Sequence, residues 1–262
     1  MNDWRLLITR PEPMASQWQH WLRGQGYSAD VICAMVIEPV SLDDEVQAVK
    51  SIILDIDQYQ KALFVSRNAA HYASEWLDDY WPQWPVGLEC FAVGRGTAEA
   101  LANVDIPVSA LGGDASSMNS EHLLAEPALQ NVAGEKVVIF RGRGGRELMT
   151  ETLRARGALV RHCELYHRTL ATSSAQALRQ WLEMALPEDL ITVHSGESLK
   201  NVYQLAQHEG VAERLLRLPV LVPGERVARQ AQELGFTQVL QARNAGNVAM
   251  LEQIQAYRQT LV

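Results

Sequence analysis

Cysteine is scarce in this sequence, positive charge is in deficit, and long apolar runs are missing. The three cysteines among 262 residues, Cys33, Cys90 and Cys163, are far apart and form no Cys-x-x-Cys. They read as buried thiols of a reducing, cytoplasmic setting, with a Cys33–Cys163 disulfide as the alternative. The formal net charge of −8 argues against a nucleic-acid binder, which needs a basic face. A polyanionic ligand would need local positive potential against that global field. No apolar run approaches the ~20 residues of a membrane helix. Met1-Asn2-Asp3-Trp4 leads straight into strand-like residues, so no export signal is expected. Metal-binding spacings such as His-x-x-x-His or His-Glu-x-x-His are missing, and no metal is expected. Neither a Gly-x-x-x-x-Gly-Lys-Ser/Thr loop nor a Gly-x-Gly-x-x-Gly fingerprint with its ribose-binding acid occurs, so no nucleotide cofactor is expected. Without a Gly-x-Ser-x-Gly elbow or a Cys/His pair, a covalent mechanism has no support.

What the sequence does have is a set of motifs that occurs twice, in two orders. A strand followed by Arg appears as Arg5-Leu6-Leu7-Ile8-Thr9-Arg10 and as Lys136-Val137-Val138-Ile139-Phe140-Arg141. A strand ending in Ser appears as Leu63-Phe64-Val65-Ser66 and as Ile191-Thr192-Val193-His194-Ser195. A strand ending in Gly before a helix appears at Phe91–Ala98 and at Val220–Ala228. The middle of the chain runs Ser, Gly, Arg; the outside has one Arg unit first and its Ser and Gly units last. Two similar domains, one inserted into the other, produce this order and predict a shared cleft. Short apolar runs alternating with amphipathic stretches predict βα units and parallel sheets. Residues 1–36 and 170–262 are assigned to one domain and 40–164 to the other, with 34–40 and 164–170 as an antiparallel two-stranded link. Residues 29–39 read as one long strand, 106–109 as a strand, and 120–129 as a helix. Gly112-Gly113-Asp114-Ala115-Ser116-Ser117 reads as a mobile loop over the cleft.

Five loops lie between strand ends and helix starts: Thr9-Arg10-Pro11, Ser66-Arg67-Asn68-Ala69, Gly94-Arg95-Gly96-Thr97, Ser195-Gly196-Glu197-Ser198 and Pro223-Gly224-Glu225-Arg226. Ligands of open parallel sheets bind at that edge, where unpaired N–H groups attract anions. Helix capping alone explains any one such loop; five together favour an anion-binding cleft. Arg141-Gly142-Arg143-Gly144-Gly145-Arg146-Glu147 reads either as a further anion loop or as a tight turn with solvated arginines. Tyr166 reads either as strand packing or as a phenol aimed into the cleft.

These loops in this order resemble the uroporphyrinogen-III synthase family. The resemblance is carried by Leu7-Ile8-Thr9-Arg10-Pro11-Glu12, Phe64-Val65-Ser66-Arg67-Asn68-Ala69, Ala92-Val93-Gly94 with Thr97-Ala98, and Ser120-Glu121 with Leu123-Leu124. Further along it is carried by Arg141-Gly142 with Gly144-Gly145-Arg146-Glu147, Tyr166 with Arg168, Ser195-Gly196, and Val222-Pro223-Gly224-Glu225-Arg226. Val65 and His194 depart from it, standing where Thr and a small residue are usual. The resemblance implies two flavodoxin-like α/β domains joined by a two-stranded ladder. It implies a cofactor-free lyase that cyclises hydroxymethylbilane, a linear tetrapyrrole with eight carboxylates, with loss of water and inversion of ring D. Arg10, Ser66, Asn68, Ala69, Gly94, Thr97, Ser120, Ser195, Gly196, Gly224 and Arg226 are then expected to bind substrate, largely through main-chain N–H groups. Tyr166 is expected to be the acid that helps hydroxide leave as water. A phenol suits a site crowded with carboxylates because it carries no charge at neutral pH. A monomer, and receipt of the substrate from hydroxymethylbilane synthase, are further expectations. The competing reading is a non-catalytic two-domain binder of a small polyanion.

Overall fold

The computed structural model describes residues 4–111, 120–145 and 147–261. In chain order the elements are β1 (Leu6–Ile8), α1 (Met14–Gly24), β2 (Ala29–Val31), β3 (Met35–Pro39), α2 (Asp43–Leu54), β4 (Lys61–Phe64), α3 (Arg67–Tyr80), β5 (Glu89–Ala92), α4 (Arg95–Ala102), β6 (Ala110–Leu111) and α5 (Ser120–Ala125). They continue as β7 (Lys136–Gly142), α6 (Leu148–Ala155), β8 (Leu159–Leu170), α7 (Ala175–Glu183), β9 (Leu190–Thr192), α8 (Gly196–His208), α9 (Ala212–Arg217), β10 (Val220–Pro223), α10 (Gly224–Leu234), β11 (Val239–Ala242) and α11 (Asn247–Thr260). The chain divides into two compact units, Met1–Ile37 with Thr169–Val262, and Glu38–Arg168. We call them the outer and the inner unit.

The outer unit holds a parallel sheet in the order β11-β10-β9-β1-β2. Successive side chains of a strand point to opposite faces, and this sheet is covered on both. Leu7, Ile191, Val193, Val220 and Val222 pack on one side with Leu178, Leu199, Val202 and Ala231 of the helices. Leu6, Ile8, Leu190 and Leu221 pack on the other with Trp18, Leu22, Met250 and Ile254. Continuous apolar strands are the consequence of burial on both faces. The inner unit holds the order β3-β8-β7-β4-β5-β6. Leu63, Phe91, Val137, Ile139 and Val160 pack with Leu123, Leu124, Met149 and Leu153. On β4 and β7, Phe64 and Phe140 stack with centroids 4.6 Å apart.

Each sheet has one position where strand order reverses. From β1 the chain moves outward to β2, whereas β9 enters on the other side of β1. From β4 it moves outward to β5 and β6, whereas β7 enters on the other side of β4. Loops at the carboxyl ends of such neighbouring strands diverge and leave a crevice.

Several elements differ from the sequence expectation. The stretch 29–39 is two strands: Ala34 N–H still reaches Thr9 O beside β1, but Val40 N–H already reaches Leu165 O on β8. Residues 34–40 and 164–170 do pair antiparallel, within a larger sheet rather than as a separate ribbon. One twelve-residue strand, β8, pairs in parallel with β7 and then runs antiparallel to β3, as the bonds Val40–Leu165 and Ala171–Ala34 require. Residues 106–109 are not a strand; Pro107 cannot donate to a ladder, and pairing begins at Ala110. Helix α5 stops at Ala125 because Pro127 disfavours helical backbone at the residue before it, and a 3-10 turn follows at Pro127–Leu129. Helix α9 is too short for its periodicity to show in sequence. The loop 112–117 lies outside the described residues.

Candidate functional site

At the reversal point of the inner unit, Ser66 follows β4 in extended backbone and caps α3, accepting the Ala69 N–H at 3.0 Å. Its Oγ also lies 3.0 Å from the Tyr166 hydroxyl. Tyr166 reaches that position through a register shift in β8. Arg141 pairs with Glu164 but Gly142 pairs with Tyr166, so Leu165 is an extra residue, and bulges of this kind re-aim side chains. The ring lies against the backbone of Gly142, where a Cβ would sit 2.4 Å from Tyr166 Cε2. Only glycine fits there. Tyr72 of α3 lies tilted over the same ring at 5.5 Å; burial and nearby Glu75 push its phenol pKa up. Tyr166 itself is 2% exposed. This cluster joins a phenol, a capping hydroxyl and a helix start, and it can deliver or receive one proton at a fixed point.

Helix α4 starts nearby in the same sheet. Gly94 caps it through its carbonyl, which accepts the N–H groups of Thr97 at 2.9 Å and Ala98 at 3.0 Å. Thr97 is 6% exposed. Arg67 lies along Gly96, with its Nε 2.1 Å from where a Cβ would stand. Ser120 opens α5, next to residues outside the described set.

The outer unit repeats the pattern. Ser195 has backbone angles of −159° and 161°, against −161° and 164° at Ser66. It accepts the Ser198 N–H at 3.0 Å. Across Gly196 lies the α10 start: a Cβ on Gly196 would stand 2.3 Å from Gln230 Oε1 and 3.4 Å from Arg226 Nη1. Gly224 opens α10 at φ +70°, a conformation glycine adopts without strain. Arg10, after β1, reaches Asn247 Oδ1 at 3.5 Å and Met14. His194 stands edge-on to Trp18 with centroids 4.5 Å apart. Both its ring nitrogens are shut off from solvent and meet no hydrogen-bond partner among the described residues. Burial, helped by the Arg10 charge, lowers its pKa to about 3, so the imidazole is neutral at any working pH.

The geometry engages two of the expected donors and closes the Arg141 loop. The Ala69 N–H is already taken by Ser66 Oγ, and the Thr97 N–H by the Gly94 carbonyl. A substrate carboxylate would have to share or displace these capping bonds. Helix geometry instead leaves Asn68 and Gly196 without an intrahelical acceptor. The Arg141 loop is a tight turn: Arg141 is 5% exposed and its guanidinium bonds the Gly144 carbonyl and Glu147. Arg143 bonds Glu45, and Arg146 lies outside the described residues. Among site neighbours, sequence reasoning missed Gly142 as the seat of the Tyr166 ring, and also Tyr72, Trp18 and Glu45. The Arg141-Gly142 pair was the one available signal. The cysteines are free thiols, with Cys33 half-buried rather than buried.

A family model described as "Uroporphyrinogen-III synthase HemD" matches residues 16–252. The chain belongs to the uroporphyrinogen-III synthase family. It is thereby an enzyme of tetrapyrrole biosynthesis. It is 34% identical to the uroporphyrinogen-III synthase of Salmonella typhimurium over 254 residues, covering 95% of this chain and 99% of that one. It is 33% identical to that of Escherichia coli K12 over 251 residues, with the same coverages. Two solved structures share the fold. The mutant uroporphyrinogen III synthase from the extremely thermophilic bacterium Thermus thermophilus superposes with a TM-score of 0.65 at 16% identity, covering 98% of this chain and 99% of that one. The Helicobacter pylori uroporphyrinogen-III synthetase does so with 0.61 at 15% identity, covering 97% and 99%.

Proposed function

We propose that this enzyme closes hydroxymethylbilane to uroporphyrinogen III with Tyr166 as the acid, and that it is built from two flavodoxin-like domains. Family membership supports the reaction. The observation that carries the residue assignment is the Tyr166 hydroxyl on Ser66 Oγ at the inner reversal point. A hydroxyl has one donor and two acceptor sites. Ser66 accepts from Ala69 N–H and still has its own proton to give to the phenol oxygen, leaving the phenol proton available. Both groups stand at the positive end of the α3 dipole, which draws anionic groups to this end of the helix.

The chemistry follows. Proton transfer from Tyr166 lets the terminal hydroxyl depart as water and gives an azafulvene, stabilised by its pyrrole nitrogen. Unguided, that electrophile meets the nearest free carbon and yields the symmetric isomer. Holding ring D so that its substituted carbon attacks instead forms a spiro intermediate, which fragments and recloses inverted. The proton that the last pyrrole sheds on regaining aromaticity balances the one Tyr166 gave, so water is the sole by-product. Most of the acceleration is positioning. Arg10 and Arg226 supply positive charge, and Asn68, Gly94, Ser120, Ser195, Gly196 and Gly224 supply loop and helix-start contacts. A cytoplasmic, monomeric enzyme without metal or organic cofactor, receiving its substrate from hydroxymethylbilane synthase, belongs to the same proposal; the free thiols are consistent with a reducing compartment.

The test is to give the purified protein fresh hydroxymethylbilane, oxidise the product and separate the isomers. We expect the inverted isomer to dominate. A product ratio equal to that of the uncatalysed reaction overturns the proposal.

A further inference from the structure

We propose that Glu45 is a positioning residue that clamps the two sides of Tyr166 and so holds its phenol in line for proton transfer. The inference rests on reading Tyr166 as the acid. Glu45 lies in the first turn of α2, and its side chain is 13% exposed. One carboxylate oxygen accepts from the Arg143 guanidinium. The other lies 2.9 Å from His167 Nε2. His167 directly follows Tyr166. Arg143 in turn donates its main-chain N–H to the Tyr166 carbonyl at 2.8 Å. The side chains of Arg143, which holds the Tyr166 carbonyl, and of His167, which follows it, are thus tied to one carboxylate.

The position of this clamp explains its need. The β7–β8 ladder shifts register between Arg141 and Gly142, and an extra residue disrupts local pairing. Tyr166 stands directly after that shift, paired with Gly142 and bonded through its carbonyl to the Arg143 N–H. Its ring rests on Gly142 and its hydroxyl on Ser66, but neither contact fixes the backbone. The Arg143 N–H holds the Tyr166 carbonyl, and Glu45, from a different element, braces the Arg143 and His167 side chains with charge-assisted bonds, which are shorter and stronger than neutral ones. Packing alone does not require an acid at this point. The neighbouring Asp43 and Asp44 satisfy the α2 start equally well by charge, yet Glu45 alone among the three bonds Arg143 and His167.

The experiment uses the full chain labelled with ring-13C tyrosine, the Tyr166 resonance being assigned by its loss in Tyr166→Phe. Glu45→Ala, Glu45→Gln and the exposed Arg143→Gln are compared, each alone and with Tyr166→Phe. Single-turnover rate and isomer ratio are measured with hydroxymethylbilane. The expectation is a shifted or broadened Tyr166 resonance and a rate lowered on the order of tenfold, since small misplacements cost this much and more. That rate loss should vanish in the Tyr166→Phe background. Should Glu45→Ala unfold, Glu45→Gln and Arg143→Gln carry the same expectation. An unmoved Tyr166 resonance, or a rate loss that persists undiminished with Phe at 166, overturns the clamp while leaving the acid intact. If Tyr166→Phe is itself silent, the acid assignment falls and the clamp's catalytic role falls with it.

Discussion

The two reversal points share a backbone and differ in what fills them. Ser66 and Ser195 adopt dihedrals within a few degrees of each other and both cap a helix through a 3.0 Å bond. In the inner unit the adjoining crevice holds a hydrogen-bonded pair, Tyr166 and Ser66, with the Tyr166 ring seated on Gly142. In the outer unit it holds a neutral His194 against Trp18, with no partner for either ring nitrogen among the described residues. A repeated fold thus keeps its capping geometry, because each helix start must satisfy its N–H groups. The side chain placed over it is free to vary. We propose chemistry for the inner copy and anion contacts for both.

The sharpest way to break this comparison is to add one methyl group to each unit. Gly142→Ala puts a Cβ 2.4 Å from the edge of an aromatic ring, which must leave its place and its Ser66 bond. We expect single-turnover activity to fall by about 10²-fold, with symmetric isomer leaking into the enzymatic product. Gly196→Ala meets Gln230 Oε1 at 2.3 Å, the end of a flexible side chain that can swing aside. A loss below about threefold is expected. Equal losses in the two variants would mean that the inner crevice is not special.

Tyr166→Phe comes next. General acids contribute about 10²–10⁴-fold, and this leaving group departs readily, so the loss should lie at or below the low end. Slower turnover with the inverted isomer retained marks Tyr166 as acid only, whereas leakage marks it as orienting ring D too. Parent rate and parent ratio together would reduce it to packing.

His194 sharpens the comparison through stability. Its folded pKa of about 3 lies below the ~6.5 of an unfolded histidine. The unfolded chain therefore binds the extra proton between those values, and stability is full above about pH 6.5 and falls as the pH drops towards 3. At pH 5 the loss relative to pH 7 is about 2 kcal/mol from this group. Urea melts of parent and His194→Ser at the two pH values should show that excess in the parent. A parent and variant with the same pH dependence would show that His194 is not buried neutral.

The smallest effects belong to the caps. Ser195→Ala and Ser66→Ala each remove one cap, at about 1 kcal/mol, measurable as a lowered urea midpoint. Only Ser66→Ala also strips the phenol of its partner, so only it should slow turnover beyond what stability explains. If Ser195→Ala slows the reaction as much, the asymmetry proposed between the units is wrong.

Much of this was legible in the chain itself. The permuted Arg, Ser and Gly units and the alternating apolar runs indicated parallel α/β sheets. Ser66 and Ser195 announced helix starts because capping is a local interaction of three or four residues. Local signals failed where the deciding contact was distant. The segment 29–39 carries one continuous strand pattern, and its break at Ala34 comes from a change of partner, from Thr9 to the strand holding Leu165. The Ala69 and Thr97 N–H groups, by contrast, are held by Ser66 and Gly94 three residues away, a local contact that the capping rule itself predicts.

The sequence by itself determined the α/β class, the family and the identity of the capping residues, since periodicity, spacing and caps act over one or a few turns. Only the tertiary structure decided that Tyr166 rests on Gly142, meets Ser66 one hundred residues away and is flanked by groups bound to Glu45, 122 residues from His167. Those relations depend on a one-residue shift between two strands. Such a shift reverses which face each side chain occupies, and nothing in the strand's own composition records it.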